Sequence, residues 1–177
     1  METKITECRT NICKAQAFNA RQAVLFGYEL STTDRLVFVK SDPQVHIEWQ
    51  FSKRYEDVSF SASLKDGGCR FKNIGYSTPS FWDTIEIPLT DDQEDAAYHR
   101  AEELNGKEYD WLGAVLFNPD RNEQKLDPNK YICSETFAEL YLATGHNLML
   151  PPERYMPVRI FLELLYWQRQ QLESRRD

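Results

Sequence analysis

Histidine, methionine, cysteine and glycine are all scarce in this chain: three, three, four and seven among 177 residues. The cysteines, at 8, 13, 69 and 133, contain no C-x-x-C pair, and the histidines at 46, 99 and 146 are scattered. That spacing argues against a structural zinc site and for reduced thiols, so no metal and no cofactor are expected. Long apolar runs are missing too. None approaches the ~18–20 residues that span a bilayer, so no transmembrane segment is expected. The opening "METKITECRT" lacks the basic-plus-apolar pattern of a secretory signal, and a cytoplasmic location is expected. An excess of positive charge is also lacking: 21 Lys and Arg stand against 28 Asp and Glu, a net charge of -7. Binding along a nucleic-acid backbone is therefore not expected. The one locally basic stretch, "RQQLESRRD", reads as a solvated helix end.

What is present suits an ordinary globular domain, with 41% hydrophobic and 13% aromatic residues and enough length for one core. There is no internal repeat and no low-complexity linker. Residues 1–30 read as an N-terminal extension, with "NARQAVLFGYEL" as helix, ahead of a single domain over 31–177. After the polar break "STTD", "RLVFVK" (35–40) reads as a strand. "HIEWQF" (46–51) alternates strictly, placing Ile47, Trp49 and Phe51 toward the core and His46, Glu48 and Gln50 on the opposite face. "VSFSASL" (58–64) alternates likewise, with Val58, Phe60, Ala62 and Leu64 inward and Ser59, Ser61 and Ser63 outward. A hairpin with Phe51 opposite Val58 would set Glu48 beside Ser61 and His46 beside Ser63. The result is a polar seam next to very small side chains.

"KDGG" is a turn, and "CRFKNI" (69–74) and "DTIEIPL" (83–89) are further strands. "TDDQ" (90–93) is a capping box that opens a helix with Ala97, Ala101 and Leu104 on one face, stopping at Asn105–Gly106. "YDWLG" and the polar stretch "NPDRNEQKLDPNK" read as loop. A helix runs from Cys133 to about Thr144, with Phe137, Leu140 and Tyr141 at core spacing and Gly145 as its stop. After "PPERYMP", a final amphipathic helix over 157–175 offers Ile160, Phe161, Leu164, Leu165 and Leu172 to the core. The order predicts an α+β domain with an antiparallel sheet packed against helices.

Cys133 is the candidate for chemistry. A cysteine beside an apolar residue such as Ile132 is usually inert core filler. At a helix N-terminus, however, unpaired N–H groups and the helix dipole favour the thiolate. An imidazole nearby can shuttle its proton. His46 opens a strand on the polar seam, whereas His99 and His146 read as surface residues.

Together, "VHIEWQF", "SFSASLKDGGCRFKNI", "LNGKEYDWLG" and "YICSETFAEL" resemble the circularly permuted branch of the NlpC-type papain-like cysteine hydrolases. That group includes permuted papain-like amidases and, more distantly, lecithin:retinol acyltransferase relatives. The resemblance covers about residues 36–145 and follows the permuted order, with the His strand first and the Cys helix late. It implies Cys133 as nucleophile, His46 as general base and Tyr109 near the thiol, shaping the substrate cleft or the oxyanion site. The family's imidazole-orienting residue is a polar one on the next strand, where this chain departs from the pattern with only Ser59, Ser61 and Ser63. Glu48, on the face of His46, is the candidate for that role, with Ser61 or Ser63 as competitors. Two residues along a strand span about 6.5–7 Å, so the Glu48 carboxylate would have to reach back. The implied activity is that of a cysteine peptidase or amidase working through a thioester on a peptide, amide or acyl-ester substrate. An inactive papain-like binding module, or an acyltransferase or thioesterase for lipid acyl groups, is the alternative.

Overall fold

The computed structural model describes residues 10–76, 81–116 and 127–174. Seven strands form one sheet: β1 (Asn11–Asn19), β2 (Gln44–Gln50), β3 (Ser59–Ser63), β4 (Gly68–Lys72), β5 (Trp82–Leu89), β6 (Glu108–Tyr109) and β7 (Lys130–Tyr131), in the order β5-β1-β2-β3-β4-β6-β7. The helices are α1 (Ala20–Leu25), α2 (Thr32–Phe38), α3 (Asp91–Leu104), α4 (Trp111–Leu116), α5 (Cys133–Ala143) and α6 (Pro157–Ser174). The architecture is α+β. The sheet is mixed rather than wholly antiparallel, because β6 and β7 run parallel. Parallel neighbours need a crossover, and α4 lies in that connection. Of the polar stretch 118–130, only residues 127–130 lie within the described residues.

Alternation in β2 and β3 sorts the two faces as the sequence predicts. Ile47, Trp49 and Phe51 are fully buried, as are Phe60 and Ala62, in one cluster with residues of α3, α5 and α6. Each such large apolar side chain contributes roughly 1.5–3 kcal/mol. The hairpin register also matches, with Trp49 opposite Phe60, Gln50 opposite Ser59, and the Phe51 amide donating to the Val58 carbonyl at 2.9 Å. The other face is polar: Thr84 donates to Gln16, and Gln16 donates to Gln50, each at 2.7 Å. Thr90 and Gln93 close the expected capping box on α3. Buried Glu94, one turn into that helix, accepts hydrogen bonds from the Ser52 amide (2.8 Å), the Ser52 hydroxyl (3.0 Å) and the Cys13 thiol (3.2 Å).

Three further expectations are corrected. Residues 11–19 are not part of an extension but the strand β1, paired antiparallel with both β2 and β5. Its inward residues Cys13, Ala15 and Ala17 are fully buried. Alanine and lysine read poorly as strand, yet a small side chain lets a helix approach the sheet, and packing overrides propensity. Residues 35–40 do not form a strand either, since α2 occupies Thr32–Phe38. The supposed break holds its cap: the Ser31 hydroxyl accepts from the Asp34 amide while Asp34 accepts from the Ser31 amide, an S-x-x-D variant of the capping box. Finally, Leu64, Leu165 and Leu172 are exposed: Leu64 lies just past the end of β3, and α6 turns Ile160, Phe161 and Leu164 to the core instead.

Gly68 lets β4 and β6 meet. Its φ is +149°, and a Cβ there would lie 2.0 Å from the Lys107 carbonyl oxygen, which accepts from the Cys69 amide at 2.8 Å. Among the described residues, no helix is long and apolar enough to cross a membrane.

Because β1 is an interior strand paired on both edges, a chain beginning at Ala20 should lose cooperative folding. The check is thermal denaturation followed by near-UV circular dichroism, in which the sigmoidal transition of the full chain disappears.

Candidate active site

β7 delivers the chain to Ile132, which caps α5 in extended conformation, and Cys133 is the first helical residue. Three side chains fix this entry. Glu135 folds back to accept from the Ile132 amide at 3.0 Å, the Thr136 hydroxyl donates to the Cys133 carbonyl at 2.8 Å, and the Ser134 hydroxyl donates to the Tyr155 carbonyl at 2.6 Å. Amides in the first turn have no carbonyl one turn back to bond. Those of Cys133 and Ser134 are therefore positioned as donors beside the sulfur.

Folding brings His46 to that sulfur. The imidazole lies close enough to Cys133 for the two to act on each other electrostatically, and its Nε2 lies 2.8 Å from Glu48 Oε1. With Nε2 committed to the carboxylate, Nδ1 is the nitrogen left for the thiol. Glu48 thus does reach back along β2. It is almost fully buried, at 1% exposure, and Arg70 of β4 clamps it with two charge-assisted bonds, Nη2 to Oε1 at 2.8 Å and Nη1 to Oε2 at 3.0 Å. The intervening strand makes this reach available. Ser61 is paired with Arg70, and its side chain is short enough to let the guanidinium pass over β3, where Nη1 also donates to the Ser61 carbonyl at 3.2 Å. Asp66 then holds Arg70 Nε at 2.8 Å and Lys72 Nζ at 2.7 Å.

The electrostatics follow from this chain of partners. Burial lowers the basicity of His46, but Cys133 and Glu48 outweigh it and push the imidazole up to about 10. Burial raises the Glu48 carboxyl, and His46 and Arg70 outweigh it and hold the group below its ordinary range. His46 is therefore charged at neutral pH and Glu48 is its counter-ion. Cys13 contrasts with this: burial, then the Glu94 carboxylate, drives its thiol far above the ordinary range.

Tyr109, on β6, faces the same place. Burial first, and then the negative charge of Cys133, push its phenol well above the usual range, so it stays protonated and able to donate. The "YDWLG" motif holds it in place. Asp110 caps α4 by accepting from the Gly113 amide at 2.8 Å, and a Cβ at Gly113 would lie 2.2 Å from that carboxylate. A cleft of about 290 Å³ opens here, lined among others by His46, Glu48, Ser63, Arg70, Trp82 and Tyr109.

Of the residues singled out in the sequence, Cys133, His46, Glu48 and Tyr109 come together. Ser61 does not join them through its side chain, because its hydroxyl donates to the Ile47 carbonyl at 2.8 Å. Ser63 lines the cleft, but the bond to His46 Nε2 belongs to Glu48. His99 is exposed beside Glu102, as expected. His146 is half-buried rather than a free surface residue, stacked on Tyr141 and bonded to the Thr144 hydroxyl at 2.6 Å. Sequence reasoning missed Arg70 and Asp66. The available signal was the alternation of "CRFK", which puts Arg70 on the face opposite Cys69 and Phe71. Among the described residues, no group of three or more His, Cys, Asp or Glu side chains is placed to hold a metal ion.

Comparison with protein-family models, with curated proteins and with solved structures finds no match to this chain.

Since His46 gains basicity on folding, its charged form adds stability that is complete below the unfolded value of about 6.5. That contribution is lost as pH rises through about 10. The melting-temperature advantage of the native chain over His46→Gln should therefore be largest at pH 6 and shrink steadily toward pH 10.

Proposed function

We propose that this chain is a thiol-dependent acyl hydrolase, a peptidase or amidase, built on a circularly permuted papain-like core with its histidine strand ahead of its cysteine helix. The observation that carries the reading is the linear relay of Cys133, His46 and Glu48 at the N-terminus of α5. A buried carboxylate that fixes one ring nitrogen leaves the other with a single job, exchanging a proton with the sulfur and its substrate.

In the resting site the proton sits on His46 and the sulfur is the nucleophile. Cys133 attacks the substrate carbonyl, and the charge developing on its oxygen is met by first-turn amides of α5 and by the Tyr109 hydroxyl. His46 gives its proton to the leaving nitrogen or oxygen as the carbonyl bond breaks, which leaves an acyl thioester on Cys133. Water, deprotonated by the now neutral His46, attacks the thioester. The acid departs, and thiolate and imidazolium are restored. Glu48 stays ionised throughout, stabilising the imidazolium and setting its tilt. A buried nucleophile with this relay also supports the enzyme reading over that of an inactive binding module, since a module needs no proton exchange at the sulfur.

Iodoacetamide should modify Cys133 at least about tenfold faster than Cys13 or Cys69, as peptide mass mapping would read. His46→Ala should abolish that selectivity at pH 6, and Cys133→Ala should abolish hydrolysis. Equal labelling of the three cysteines in the folded protein would overturn the reading.

Arg70 acts through Glu48 and so is a positioning residue. Arg70→Met should lower kcat on the order of a hundredfold with little change in KM and shift the pH profile of kcat/KM. Arg70→Lys, which restores a charge but not the two-pronged grip, should recover part of the rate.

A further inference from the structure

The cleft beside the relay has two unlike walls. On one, rings lead outward from the histidine. Trp82 meets His46 with centroids 6.4 Å apart, Phe18 meets Trp82 at 5.4 Å, and Tyr28 meets Phe18 at 5.7 Å. All three line the cleft. They come from the start of β5, the end of β1 and the segment between α1 and α2, and Phe81 backs both Phe18 and Tyr28.

Elsewhere the lining is charged but balanced. Asp34, Glu48 and Asp66 are matched by Lys65, Arg70 and Lys72, and Asp66, Arg70, Lys72 and Glu48 are already committed to one another. These six charges cancel and His46 is paired with Glu48, so a charged ligand finds few uncommitted partners, while an apolar ring meets three ring partners, each worth several-fold in affinity.

Chemistry decides which end of a substrate reaches that wall. His46 must come within about 2.6–3.2 Å of the leaving atom to protonate it, so the leaving group's substituent lies along whatever adjoins the imidazole. That neighbour is Trp82. Volume limits its size: the cleft, at about 290 Å³, falls at the bottom of the range of about 300–1,000 Å³ typical of ligand pockets. A cleft of that size accepts a ring-sized group.

We propose that this site releases an uncharged amine or alcohol bearing a ring-sized apolar substituent, seated on Phe18, Tyr28 and Trp82. This rests on the hydrolase reading above. The carbonyl-to-nitrogen or carbonyl-to-oxygen bond breaks, the carbon–sulfur bond forms, and the imidazolium proton leaves with the amine or alcohol.

Two measurements test it separately from that reading. The first compares kcat/KM for acetate esters of 2-phenylethanol, ethanol, choline, glycolate and hexadecanol. The phenylethyl ester should exceed the ethyl ester at least tenfold and exceed the charged and long-chain esters by more. Tyr28→Ala, a change at a partly exposed residue, should cut the phenylethyl-to-ethyl ratio about fivefold. The second titrates N-(2-phenylethyl)acetamide and N-ethylacetamide into the full-length Cys133→Ala protein, read by tryptophan fluorescence. Tighter binding of the ring-bearing amide is expected. Ring-selective binding without turnover by the native chain would keep the ring site and sink the hydrolase. Turnover without ring preference, or a preference for choline, glycolate or hexadecanol, would sink the ring site and keep the hydrolase. Neither binding nor turnover overturns both.

Discussion

One buried carboxylate ties the polar face of this sheet together. Glu48 lies under the polar face of the sheet, bonded to His46 on one side and doubly to Arg70 on the other. A charge removed from water that far is tolerated only when its partners are close and well aligned. Removing one partner from such a pair typically costs about 3–5 kcal/mol, a large part of a small domain's stability. The geometry of the imidazole is therefore tied to the integrity of β2, β3 and β4 together. Asp66 extends the same logic one step outward, sharing itself between Arg70 and Lys72.

The scaffold separates two jobs by sheet face. On one face, Ile47, Trp49, Phe51, Phe60 and Ala62 pack against α3, α5 and α6 and supply the apolar burial. On the other, short serines along β3 leave room for Arg70 to reach across to Glu48. The same alternation that builds the core thus builds the relay, and neither can shift register without the other. At the far end of the relay, α5 is held at its N-terminus by Glu135, Thr136 and Ser134, so the sulfur and the ring meet between two stiff elements.

Much of this was legible in the residues. Strict alternation in "HIEWQF" and "VSFSASL" set both faces and the register, because two half-buried strands have a period that little else imitates. "TDDQ" announced α3 through capping chemistry. Cys133 at a helix start and His46 on a polar strand face were readable as candidates, whereas Tyr109 and the grouping as a whole came from the family resemblance. What escaped had physical causes. β1 is rich in alanine, lysine and glutamine and acquires strand structure only from neighbours on both sides. "RLVFVK" has the composition of a strand, but a cap at Ser31 and Asp34 and the burial of Val37 made it helix. Arg70 was hidden because its partner lies two strands away, a relation that no local pattern encodes.

The placement of β1 has a further consequence, for the order in which the molecule becomes complete. Asn11 pairs with Leu89 and Lys14 with Gln50, so the earliest described strand waits for two later ones before either of its edges is satisfied. The sulfur comes later still, after every strand has been laid down. A ribosome-bound chain therefore carries Cys133 as an unremarkable thiol, with its base and counter-ion dispersed along the polymer. Cys133, His46 and Glu48 become neighbours only at closure, when both halves of the chain have met.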